Sequence, residues 1–115
     1  MYVYEFVHMT YCWDDNDYDV AETEIFETYN DAAMYFEGKM DCVIREYLNE
    51  ANVPDLKAFE NSDDYCYYNL SNFSDKTEPS ENIDDRYRWP CFYISIDEYG
   101  SETLRINKKK IMRFS

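Results

Sequence analysis

Only two glycines and three prolines occur in 115 residues, too few for a collagen-like or linker-like chain. No apolar run approaches the ~20 residues that a membrane-spanning helix needs. No hydrophobic signal follows a basic start either, since Met1 leads at once into Tyr2-Val3-Tyr4-Glu5. The expectation is therefore a cytoplasmic protein without a membrane partner. Histidine occurs once, as His8, and the four cysteines (Cys12, Cys42, Cys66, Cys91) stand far apart with no C-x-x-C pair. Structural zinc normally takes ligands in close-spaced pairs, so no metal is expected and the thiols are expected to be reduced. Most conspicuously, the first 38 residues contain no Lys or Arg at all.

The chain does have charge of one sign and aromatic rings. It carries 25 acidic against 11 basic side chains, a net charge of −14, with 45% hydrophobic and 19% aromatic residues. So much apolar surface argues against disorder, and the length suits a single domain over 1–115. A surface of this sign repels nucleic acid, anionic lipid and phosphorylated metabolites, so direct nucleic-acid binding is excluded as a function class. Cationic protein partners are left. A bias towards Phe, Tyr, Met, Ile, Asn and Lys suggests AT-rich coding DNA, as in a low-GC bacterium or its phage.

The periodicities predict an α+β fold, a mostly antiparallel sheet of about five strands with one main amphipathic helix packed on one face. A strand over Tyr2 to Tyr11 is apolar on both sides, as an interior strand should be. A second runs from Asp19 to Glu27, with Ala21, Thr23 and Ile25 expected inward and Glu22 and Glu24 outward. Thr28 is a good N-cap. Beyond it Ala33, Phe36, Met40, Val43, Ile44, Tyr47 and Leu48 share one helical face, which leaves Asp31, Tyr35, Gly38, Cys42, Glu46 and Asn49 outside. Pro54 can open a short helix to Glu60. Further strands are expected at Tyr65 to Leu70, Trp89 to Glu98 (Phe92, Ile94 and Ile96 inward) and Glu102 to Ile106. An acidic loop of about 71–88 precedes the fourth strand. The alternation breaks at Lys108-Lys109-Lys110, which predicts a bulge or bend before Ile111.

Catalytic signatures are missing. The sequence has no G-x-S-x-G, P-loop, H-E-x-x-H or dinucleotide fingerprint, and a histidine in a strand is more often packed than a general base. An EF-hand starting at Asp15 fails, since its sixth position is Val20 and its twelfth Phe26. The expectation is a non-enzyme without cofactors.

The charge map is sharper than the total. Residues 1–38 hold ten carboxylates, residues 55–85 hold nine against Lys57 and Lys76, and the C-terminal segment 105–113 is basic. Carboxylates at i, i+2 on a strand project to one side about 6.7 Å apart. Glu22 and Glu24 have this relation, as do Asp15, Asp17 and Asp19 if extended, and the row resembles successive phosphates of a nucleic-acid strand. Tyrosines interleave with the acids and suit contact surfaces, because they offer large area at small entropic cost. The candidate partner-binding residues are Asp14, Asp15, Asp17, Tyr18, Asp19, Glu22 and Glu24, with a second patch at Asp63, Asp64, Tyr65, Asp84 and Asp85.

Three features give the chain a family likeness: the carboxylate-only stretch Met1 to Gly38, the turn Asp14-Asp15-Asn16-Asp17-Tyr18-Asp19, and the clusters Asp63-Asp64-Tyr65 and Asp84-Asp85-Arg86-Tyr87. In these it resembles the small acidic phage-encoded inhibitors of bacterial defence, which include anti-CRISPR and DNA-mimic proteins. The likeness is one of composition and charge over the whole chain. It implies a non-enzymatic inhibitor that occupies the nucleic-acid-binding surface of a defence nuclease or effector in the host cytoplasm. The alternative is a homo-oligomeric structural or adaptor protein, a homodimer for instance. A notch at Gly38 and Cys42 and the basic tail motivate it. The tail is expected to pair with the acidic body, within the chain or across a dimer.

Overall fold

A computed structural model describes residues 1–12, 17–61, 65–69, 78–83, 88–96 and 100–111; for 12, 17, 18 and 65–69 it describes the backbone. The fold is α+β, an antiparallel sheet against one main helix. Strands β1 (Tyr2–Cys12) and β2 (Asp17–Phe26) form a hairpin, followed by helix α1 (Tyr29–Ala51) and the short α2 (Leu56–Glu60). Strands β3 (Tyr65–Asn69), β4 (Cys91–Ile96) and β5 (Gly100–Lys110) complete a five-stranded sheet of order β2-β1-β5-β4-β3. The first and last strands thus pair at its centre, and the acidic strand β2 lies at one edge.

Helix α1 begins where the sequence marks it. Thr28 is extended, and its hydroxyl accepts from the Asp31 N–H at 3.2 Å. The helix stops at Asn52, which takes the left-handed conformation (φ 57°) that asparagine tolerates better than most residues. Asp55, rather than Pro54, caps α2 by accepting from the Ala58 N–H at 2.9 Å.

Residues directly opposite in an antiparallel pair share a face. The register Tyr4↔Lys108, Phe6↔Ile106, His8↔Leu104 and Leu104↔Phe92 therefore puts all of these on one side of the sheet. There Phe6, Leu104, Ile106, Phe92 and Ile94 are fully buried beneath Ala32, Ala33, Phe36, Val43 and Tyr47 of α1, and Phe59 of α2 joins the same core. Phe6 meets both Phe36 (centroids 6.1 Å, 88°) and Tyr35 (5.1 Å, 79°) edge to face, the favoured geometry for aromatic pairs. The expected inward residues of α1, β4 and β5 are in place. No described helix covers the other face, which carries Val7, Met9, Val20, Thr23, Ile25, Tyr93 and Arg105.

Three expectations need correction. Strand β2 has the opposite parity: Phe26↔Tyr4, Glu24↔Phe6 and Glu22↔His8 put Glu22 and Glu24 on the helix side, while Ile25 is 54% exposed on the other. Tyr35 is not an outer residue of α1, because it packs on Phe6 and Phe26. Finally, β5 keeps one register with β1 from Ser101 to Lys110, so no bulge precedes Ile111; the irregularity lies between β1 and β2 at His8/Met9, where the pairing skips Ala21.

Candidate partner-binding surface

Two polar contacts stand side by side on the helix face of the sheet. His8 Nε2 lies 2.8 Å from Glu102 Oε1, both largely shielded from solvent. Beside it, Lys39 Nζ reaches Glu22 Oε2 at 3.3 Å and lies 5.5 Å over the Tyr35 ring. Tyr35 and Lys39 are four apart on α1, so one helical face delivers both to Glu22. The Tyr35 hydroxyl, with Lys39, holds the Glu22 carboxyl below its ordinary pKa. Burial, with the neighbouring Glu22, pushes the Tyr35 phenol up. Burial opposes the charge on Lys39, but Glu22 outweighs it and the ammonium titrates above its ordinary value. Glu22 Oε1 is buried and has no hydrogen-bond partner among the described residues.

A second cluster ties the basic end of β5 to the body. Glu78 Oε1 accepts from Lys108 Nζ at 2.6 Å and lies 3.8 Å from Arg88 Nη2. The Lys108 head sits 4.5 Å over Tyr2 and 5.8 Å over Tyr4, while Arg88 stacks on Trp89 at 4.4 Å. Glu78 raises the Lys108 pKa; burial raises that of Tyr4, and Glu78 adds to the effect. On the opposite face Lys109 Nζ bonds Glu5 Oε1 at 2.9 Å. Two of the C-terminal lysines thus pair within the chain.

These pairings decide which predicted contacts are free. Asp19 and Glu24 are exposed on β2, and among the described residues neither has an ion-pair partner. Glu22 is committed to α1. Asp17 and Tyr18 lie in β2, and Tyr65 opens β3. These strands form opposite edges of the sheet. Four inter-strand steps of about 4.8 Å separate the two edge strands by roughly 19 Å. Asp14, Asp15, Asp63, Asp64, Asp84 and Asp85 lie outside the described residues. So does most of the 71–88 loop, although its residues 78–83 and 88 carry the Glu78 clamp. The Gly38 depression is lined by Met34, Glu37 and Asp41 rather than by Cys42, which is exposed nearby as a free thiol.

The sequence reading missed the Glu22–Tyr35–Lys39 and Glu78–Lys108–Arg88 clusters. The first had a signal in the i, i+4 spacing of Tyr35 and Lys39; the second joins residues thirty apart and had none. Among the described residues no three His, Cys, Asp or Glu side chains are placed to share a metal ion, and no described helix is long and apolar enough to cross a membrane. No family model, curated protein or solved structure matches the chain.

Proposed function

We propose that this chain is a non-enzymatic acidic inhibitor that occupies a basic nucleic-acid-binding groove of a bacterial defence nuclease or effector, in the manner of anti-CRISPR and nucleic-acid-mimic proteins. The observation that carries the proposal is an edge strand on which Asp19 and Glu24 are exposed, with Asp17 beside them, in a 38-residue stretch without Lys or Arg. Lys39 takes Glu22 of that edge, whereas the lysines at 108 and 109 pair elsewhere, with Glu78 and Glu5. Exposed carboxylates such as Asp19 and Glu24 contribute mostly to association rate and specificity, and their effect weakens with salt. The test is capture from lysate of a low-GC bacterial host, followed by mass spectrometry. Retention of a nucleic-acid-handling effector, lost on Asp17, Asp19 and Glu24→Lys, is the expected outcome. Capture only of partners unrelated to nucleic acid refutes it.

The sheet face without a described helix favours a second function, a homo-oligomeric adaptor. Val20 (61% exposed) and Ile25 are apolar groups left in solvent there. A salt-stable dimer by light scattering, dissociated by Val20→Asp and Ile25→Asp, supports the adaptor; a monomer at low and high salt refutes it.

A further inference from the structure

The β2 edge offers more than charge. Strand β2 pairs only with β1, so its outer edge is a ten-residue row of backbone donors and acceptors with no strand against it among the described residues. Its two sides differ in chemistry. On the helix side stand Asp19, Glu22 and Glu24; on the other stand Val20, Thr23 and Ile25, all three exposed. An incoming strand meets the exposed carboxylates of Asp19 and Glu24 on one side, with Glu22 between them held by Lys39, and β-branched side chains on the other.

We propose that β2 is a β-augmentation site, which binds an extended segment of a partner protein that alternates Lys or Arg with β-branched residues and adds it as a sixth strand. This rests on β2 being the partner-binding surface and specifies how the partner docks there. Main-chain hydrogen bonds supply affinity in this mode, while alternate side chains supply specificity. Opposite charges facing each other across a strand pair are favourable and like charges unfavourable. The edge therefore selects a basic strand. It also rejects a second copy of itself: two-fold antiparallel pairing of β2 with β2 keeps both helix faces on the same side and aligns carboxylate with carboxylate.

The probe is a short peptide that alternates lysine with valine, titrated into the full chain and followed by fluorescence anisotropy and amide hydrogen exchange. Salt-sensitive binding is expected, with the outward amides of β2 gaining protection while those bonded to β1 keep theirs. The same peptide N-methylated at every residue keeps its charge but donates no backbone hydrogen bond, and should not bind. Asp19→Lys with Glu24→Lys should weaken the lysine peptide by about tenfold or more and create affinity for a glutamate–valine peptide. No binding of the lysine peptide, equal binding of the N-methylated one, binding without protection of β2, or self-pairing through β2 would each overturn augmentation. Host-effector capture, scored separately with the same charge variants, then shows whether the groove-occupying function fails as well.

Discussion

Truncating Phe36 to Ala and, separately, Ile25 to Ala tests the packing and the parity of β2 together. Phe36 is fully buried, edge to face with Phe6, and under the sheet centre where β1 and β5 meet. Emptying such a site costs about 3–5 kcal/mol, through lost transfer free energy and the cavity left behind. Unfolding entropy near the melting temperature is about 2.1 cal/mol/K per residue, hence about 240 cal/mol/K for 115 residues. A loss of about 4 kcal/mol should then lower Tm by about 16 °C. Ile25 is more than half exposed on the side without a described helix. Its truncation should cost under about 1 kcal/mol and lower Tm by no more than about 4 °C. Thermal unfolding followed by far-UV circular dichroism, with urea midpoints as a check, reads both. Equal losses would place Ile25 in the core and refute the register of β2; an unchanged Tm for Phe36→Ala would refute the placement of α1.

Other expectations concern single contacts. The depressed folded pKa of Glu22 contributes stability that is present above the unfolded-state carboxylate value of about 4.3 and is lost as pH falls through the folded value. The urea midpoint of Glu22→Gln should accordingly approach that of the parent in acid and fall below it at neutral pH; a constant difference would show that Glu22 titrates normally. At the helix C-terminus, Asn52→Gly should be neutral or stabilising and Asn52→Val destabilising by about 1 kcal/mol or more, since Asn52 has φ 57°. A double-mutant cycle on Glu78 and Lys108 should show a favourable coupling that falls with salt; no coupling at low salt would dissolve the clamp.

Much of the fold was legible because the elements that hold the core obey simple periods. The apolar stripe of α1 and the alternation of Phe92, Ile94, Leu104 and Ile106 needed nothing beyond side-chain direction. The existence of edge strand β2 was legible but its facing was not, because its apolar side faces solvent and its acidic side faces the helix, where Tyr35 and Lys39 receive Glu22. Polarity alone therefore assigned its faces the wrong way round. Lys108 misled similarly: it lies on the core side of β5, with its head over Tyr2 and Tyr4 and bonded to Glu78. A long cationic side chain can cover apolar surface while its charge finds a partner, so it does not mark a change of face. Of the candidate surface, the charge asymmetry was readable from the sequence. Which carboxylates are free could be read only after Glu22 and Glu5 were seen paired with Lys39 and Lys109.

The central claim is that free carboxylates on the β2 edge dock the protein in a basic groove. Affinity of the captured effector for the parent chain and for Asp19→Lys with Glu24→Lys, measured across a salt series by surface plasmon resonance, tests it most directly. Circular dichroism should show the variant as well folded as the parent, since neither side chain is buried. The predicted result is a slower association rate for the variant and a shallower salt dependence, with nucleic acid competing against the parent for the effector. Unchanged affinity at every salt concentration, or simultaneous binding of parent and nucleic acid, would contradict it.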